Sequence, residues 1–235
     1  MSVERIARVV WAGGLATLVT LVALVGVAPL RGDAEAAPRE CPAATSPGGG
    51  GSASPVGAPP GADAIGLGPD RISCPQELPG LGNFAEVDPG RLYRSAQPTR
   101  EGLQLARSRF GVRTVISFRS LHSDRGDAEA IGLQYHRIPF SAWHVTPDDA
   151  VRFLRLATDA RNYPILVHCQ HGADRTGTMV AVYRIFVQGW KTEDAIAELP
   201  RFGFHTIWAN LKTFLRDEEW RRAAEAVRIP RDGLP

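Results

Sequence analysis

Hydrophobic and polar positions divide the chain into stretches of different character. From Val9 to Leu30 the residues are apolar almost without interruption, preceded by Arg5 and Arg8. About 20 such residues suffice to cross the hydrocarbon core of a bilayer as a helix, and the run lacks the polar face of a helix packed on a globular core. From Pro38 to Arg71 any periodicity gives way to Pro, Gly, Ala and Ser, including Gly48-Gly49-Gly50-Gly51-Ser52. That composition buries too little apolar surface to offset its chain entropy, and it predicts a disordered tether. From Cys74 onward, short β-branched runs alternate with segments of helical period. The expected organisation is an N-terminal apolar segment (residues 1–37), a linker (38–72), one globular domain (73–222) and a short C-terminal tail (223–235).

Within the domain, Leu92-Tyr93-Arg94-Ser95 predicts a short strand after the Asp88-Pro89-Gly90 turn. Thr99 then caps an amphipathic helix through Phe110, which Gly111 ends. Val112 to Phe118 suits a buried strand, Arg119 to Gly126 a polar loop, and Asp127 to Ile131 a short helix. Gln134 to Pro139 predicts another strand. Thr146 or Asp148 can cap a helix carrying Val151, Leu154, Leu156 and Ala157, which Asn162-Tyr163-Pro164 breaks. Ile165-Leu166-Val167-His168 is apolar enough to be a fully buried strand, and an apolar helix from Met179 to Val187 lies beyond the next loop. Thr192 to Leu199 and Ile207 to Trp220 predict covering helices. Strands alternating with helices imply an α/β fold with a mainly parallel central sheet flanked by helices.

The net charge of +2 is too small for bulk electrostatic attraction to nucleic acid, so no nucleic-acid partner is expected. The apolar N-terminus changes the picture more: it engages a membrane at least during export. Ala34-Glu35-Ala36-Ala37 offers a small-residue cleavage site, so the segment is either a signal peptide or, being longer than the usual apolar region of about 7 to 15 residues, a retained anchor. The domain is expected outside the cytoplasm in both cases. Cys41 and Cys74 bracket the linker; in an oxidising compartment they could pair, leaving Cys169 as the odd thiol, or Cys41 could sit unpaired in the tail.

Between the buried strand and the apolar helix lies His168-Cys169-Gln170-His171-Gly172-Ala173-Asp174-Arg175-Thr176-Gly177. Five residues between Cys169 and Arg175 let the backbone curl so that successive N–H groups of Gln170, His171, Gly172 and Ala173 address one centre, and the helix N-terminus adds its dipole there. That is a site for an anion. Helix N-termini and cations can lower a cysteine pKa from about 8.5 to well below 7, so an ionised nucleophile is expected. A buried structural cysteine is the bland alternative. Zinc held by His168, Cys169 and His171 is weaker, since no second ligand pair accompanies them, and neither metal nor cofactor is expected. Gly80-Leu81-Gly82-Asn83-Phe84-Ala85 mimics a dinucleotide fingerprint, but no strand is predicted before it.

The decapeptide resembles the His-Cys-x5-Arg-Ser/Thr signature of cysteine-dependent protein-tyrosine and dual-specificity phosphatases. Leu92-Tyr93-Arg94-Ser95-Ala96-Gln97-Pro98 and Val112 to Arg119 look like the opening elements of compact bacterial dual-specificity-like members. The resemblance implies that Cys169 attacks phosphorus to form a cysteinyl-phosphate, that Arg175 holds two equatorial oxygens, that Thr176 helps the thiolate leave, and that His168 orients the loop. It implies a phosphorylated protein as default substrate, with an inositol phosphate as the alternative. A phosphate-binding module without turnover is the rival of another class.

Such phosphatases usually supply an aspartic acid from a separate loop, here Ser141 to Asp149, and it is absent. His144 is the obvious proton donor in the first half of that loop, while Asp148 and Asp149 suit a helix start. Asp174 is the preferred acid, because Asp-Arg-Thr resembles the loop ending of myotubularin-like phosphoinositide phosphatases; it could instead anchor the loop. The pattern also looks like that of RNA 5′-triphosphatases, which export argues against. Arg119, directly after a buried strand, is the best candidate to extend the site's positive character, ahead of Arg125 and Arg137. His205, near Trp208, is read as packing with a chance of lining the site.

Overall fold

The computed structural model describes residues 74–229. The expected strands are β3 (Leu92–Ser95), β4 (Thr114–Ser117), β5 (Gln134–Arg137) and β6 (Ile165–His168). Two more precede them, β1 (Gln76–Leu78) and β2 (Leu81–Asp88). The sheet order is β1-β2-β3-β6-β4-β5. Pairs β3–β6, β6–β4 and β4–β5 are parallel, whereas β1–β2 and β2–β3 are antiparallel. The parallel core is as expected, and the missed hairpin makes the sheet mixed. A strand thus does precede the Gly80 to Ala85 segment, but that segment is itself the turn and start of β2 and opens no helix.

Alternation sorts the buried side chains onto two faces. Tyr93, Val115 and Leu166 pack with Leu103 and Ala106 of α1 (Arg100–Phe110) and Ala128 of α2 (Arg125–Ala130). Leu92, Ile116, Ile165 and Val167 face the larger core formed with α3 (Pro147–Ala157), α4 (Asp174–Phe186), α5 (Thr192–Glu198), α6 (Ala209–Arg216) and α7 (Glu219–Ala226). Thr99 caps α1 by accepting from the Gly102 N–H, and Gly111 closes it in the left-handed conformation, φ 67°, that a side chain disfavours. Thr146 and Asp149 form a reciprocal capping box on α3. The segment from Ile207 to Trp220 is two helices separated at Asp217. The domain also runs past the expected boundary at residue 222: Trp220 and Ala224, four apart on one face of α7, are fully buried, and Ile229 is buried behind them.

Among the described residues no helix is long and apolar enough to cross a membrane. The Val9 to Leu30 run, the linker, its Cys41 and the end of the tail lie outside them. Cys74 is disulfide-bonded and Cys169 is a free thiol.

Candidate active site

Register brings the site together. Ser95 of β3 and Ser117 of β4 both pair with His168, the last residue of the central strand β6, so Cys169 emerges at the carboxyl edge between them. Open α/β sheets place their ligands at such a crevice. Cys169 is 2% exposed, and the loop that follows it opens on a cleft of about 430 Å³ lined by Gln170, His171, Asp174, Arg175, His205 and Trp208 among others.

The loop after Cys169 is held from outside through its carbonyls. The His168 carbonyl accepts from the Phe118 N–H at 2.9 Å, Cys169 from His168 Nδ1 at 3.1 Å, and Gln170 from the Gln97 N–H at 3.0 Å. The His171 carbonyl accepts from Asn83 Nδ2 at 3.0 Å and that of Gly172 from Arg94 Nη2 at 2.7 Å. With five consecutive carbonyls turned outward, the N–H groups of the curl are left for an anion in front of α4. Gly172 makes the curl possible: its φ is +70°, and a Cβ there would lie 2.6 Å from the Ser95 carbonyl oxygen.

Sequence reasoning missed several of these supports. Arg94 is 1% exposed, lies 3.6 Å over the Phe202 ring, and has Nε and Nη1 buried without a hydrogen-bond partner. Burial pushes its guanidinium pKa down to about 10, the charge of Glu198 opposing this and that of Arg184 adding to it. Asn83, at φ 51°, also bonds the Phe202 carbonyl and so ties the hairpin to the loop. Asp124 is the third: His168 Nε2 stands 2.7 Å from its Oδ2, both groups buried, but off the line needed for a directed hydrogen bond. Burial pushes the Asp124 carboxyl up, yet His168 and Gln97 outweigh this and hold it below the ordinary carboxylate value. Asn83, Arg94 and Gln97 each sat in a quoted motif, and none carried a sign of its role.

The expected residues fall into groups. Arg175 faces the cleft, its Nη1 bonded to the Phe118 carbonyl at 3.1 Å. Thr176 is fully buried and its Oγ1 has no partner among the described residues. Gln170 and His171 line the cleft, whereas Gly172 and Ala173 are buried behind it and offer backbone. Both ring nitrogens of His168 face oxygens, which leaves none for zinc.

Arg119 has Nη1 on Gln97 Oε1 at 3.2 Å and does not line the cleft. Arg125 and Arg137 line a different cleft. His144 is exposed on its loop and is not among the lining residues of the cleft. The loop turns there: Asn210 Nδ2 holds the Ala142 carbonyl at 2.8 Å, and Trp143 packs edge-on against Trp208 at 4.5 Å. Asp148 is exposed on the first turn of α3.

Asp174 lines the cleft, but both its oxygens are engaged. Oδ1 accepts from the His205 N–H at 2.8 Å, and His205 Nδ1 lies 3.0 and 2.9 Å from Oδ1 and Oδ2. The pair leaves His205 Nε2 for the cleft, so His205, read in the sequence mainly as packing, is a site residue. Its signal was only its spacing beside an aromatic cluster.

Comparison with known proteins agrees with this geometry. Residues 82–223 match the family model described as DSP-PTPase phosphatase fused to NAD+ Kinase. The dual specificity protein phosphatase TpbA of Pseudomonas aeruginosa is 39% identical over 114 residues, 48% of this chain and 51% of that one. An inositol diphosphatase of Arabidopsis thaliana, DSP5, is 29% identical over 129 residues, 51% of this chain and 61% of that one. The chain thus spans about half the length of the TpbA sequence it matches. The crystal structure of TpbA superimposes with a TM-score of 0.58 at 31% identity, covering 66% of this chain and 98% of that one. A second TpbA structure, in complex with pTyr, has the same TM-score at 29% identity. By the match of its family model over residues 82–223, and by the fold and loop that carry it, the chain belongs to the dual-specificity-type family of cysteine-dependent phosphatases.

Proposed function

We propose that this protein is an exported phosphatase that hydrolyses phosphomonoesters, phosphotyrosine on proteins first among them, through a cysteinyl-phosphate on Cys169. The observation that carries the reading is the loop held by its carbonyls in front of α4, with Cys169 beneath and Arg175 beside it. The thiolate attacks phosphorus, Arg175 and the loop N–H groups take the equatorial oxygens, and the ester oxygen leaves with a proton. That proton comes from Nε2 of a His205 imidazolium whose Nδ1–H is held by the Asp174 carboxylate; Asp174 is thus a positioning residue. Water then attacks the phosphocysteine, and Thr176 Oγ1 hydrogen-bonds the departing thiolate.

Substrate class is read from the cleft mouth. It is lined by Ala142, Ile207 and Trp208, with Trp143 and Ile207 largely exposed beside it, and among the described residues Arg175 is its one guanidinium. An aromatic phosphoester suits such a mouth better than a ring bearing several phosphates, and TpbA's complex with pTyr supports the same choice. The similarity to DSP5 keeps an inositol phosphate as the second reading. Export rests on the apolar run after Arg5 and Arg8, as a cleaved signal or a membrane anchor.

Phosphate release by the purified chain from phosphotyrosine and phosphoserine peptides and a panel of inositol phosphates, beside Cys169→Ser, tests the reading. Repeated turnover that vanishes in the variant is expected, with phosphotyrosine preferred. Phosphate binding without turnover would replace the enzyme by a binding module.

A further inference from the structure

At the outer edge of the sheet, beyond β5, lies a second cleft of about 410 Å³ that the reaction does not use. Arg125 comes to it from the start of α2, Arg137 from the end of β5, and Arg152 and Arg155 from α3. Among the described residues the carboxylate within ion-pair reach of these four is Glu129, 2.8 Å from Arg125. Arg152 and Arg155 are exposed and have no acidic partner among the described residues. The Arg137 fork is fixed by Nε on the Arg119 carbonyl at 2.8 Å and Nη2 on that of Ser120, which leaves Nη1. Like charges gathered this way repel one another unless an anion sits among them.

The second observation is independent of the arginines. Tyr135 lines the cleft, is 6% exposed, and its Oη is buried without a hydrogen-bond partner; His136 Nε2, also in the lining, is buried and unpartnered too. Leaving a buried polar group unsatisfied costs about 1–3 kcal/mol, and two in one cleft beside four guanidinium groups point to a ligand site. Burial, then the charge of Arg125, lowers the His136 imidazole pKa from its ordinary value.

We infer that this cleft binds a compact polyanion bearing two or more phosphoryl groups, with the arginines taking the outer oxygens and Tyr135 Oη donating to an inner one. The phosphoryl groups could belong to a free small molecule or to a lipid headgroup.

The test is equilibrium binding of inorganic tripolyphosphate to the full chain, wild type and Arg175→Ala, the latter to silence the catalytic loop. Two sites in the first and one in the second are expected. Arg152→Ala/Arg155→Ala, exposed positions that the fold tolerates, should weaken the second site by roughly a hundredfold, about tenfold per arginine. Tyr135→Phe should weaken it by roughly tenfold. Vesicles of phosphatidylcholine with and without a phosphoinositide form the other arm: binding only to phosphoinositide vesicles assigns the groups to a headgroup, and binding to free tripolyphosphate assigns them to a soluble ligand. No second site in either arm would overturn the inference. So would equal weakening by Arg109→Ala/Arg222→Ala, exposed arginines outside the cleft, which would reduce the effect to diffuse surface charge.

Discussion

Replacing His205 by glutamine separates proton donation from the rest of the reaction. The ring is held by two contacts of 2.9 and 3.0 Å to Asp174, and its backbone by a third at 2.8 Å, so the substitution removes a group already fixed at the cleft and leaves the loop, Cys169 and Arg175 in place. General acid catalysis contributes about 10²- to 10⁴-fold, or about 2.7 to 5.4 kcal/mol of barrier. That full loss is expected in kcat for phosphotyrosine peptide, whose phenol has a pKa of about 10 and needs a proton to leave. With p-nitrophenyl phosphate, whose phenolate leaves unaided, the loss should be less than about tenfold. Asp174→Asn keeps an acceptor for the His205 N–H but turns an amide N–H toward Nδ1 in one of its orientations; it should fall between wild type and His205→Gln on the peptide, with KM little changed. Rapid-quench measurement of phosphoenzyme formation locates the effect, since only the first step should slow for the peptide. Equal losses on both substrates, or none on either, would refute the assignment of His205.

Three further outcomes are expected. Gly172→Ala pushes a Cβ to 2.6 Å from the Ser95 carbonyl oxygen and 2.7 Å from the Ala96 nitrogen, both backbone, at φ +70°; left-handed strain of about 1–2 kcal/mol and overpacking of about 1–3 kcal/mol should appear as lost stability in urea unfolding together with lost turnover. Glu198→Ala strips the buried Arg184 of a partner at 2.8 Å, both side chains being nearly inaccessible, and breaking such a pair costs about 3–5 kcal/mol, measurable as a lower urea midpoint. Asp124 has a depressed carboxyl pKa in the folded state; it contributes stability that is present above its unfolded value of about 3.9 and lost as pH falls through the depressed folded value. The stability gap between wild type and Asp124→Asn should therefore be constant near neutral pH and close on acidification below about pH 4, as followed by unfolding at a series of pH values.

What the sequence disclosed and withheld follows physical lines. The parallel core was legible because β4 and β6 are short runs centred on β-branched and aliphatic residues and β3 follows the Asp88-Pro89-Gly90 turn, and the catalytic loop because its chemistry is contiguous. The β1–β2 hairpin was hidden by Gly80, Gly82 and Asn83, residues that weaken a strand signal and here serve a tight turn and a side-chain bond to the loop. The break at Asp217 was hidden because apolar spacing continues across it. Arg94, Asp124 and His205 act across sequence separations of 78, 44 and 31 residues from Gly172, His168 and Asp174, and no local pattern encodes such a meeting. Asp174 was found as a residue, yet its role depends on His205, which only the tertiary structure brings to it.

The loop's five outward carbonyls are fastened by β2, β3 and its following turn, the end of β4, and the loop's own histidine. None of these fasteners belongs to the Trp143–Trp208 rim. Anchorage and entrance are therefore built from different parts of the chain, so under the proposed function a change of rim residues should redirect the protein to another phosphoester while the cradle keeps its shape. Specificity in this scaffold is interchangeable in a way that reactivity is not.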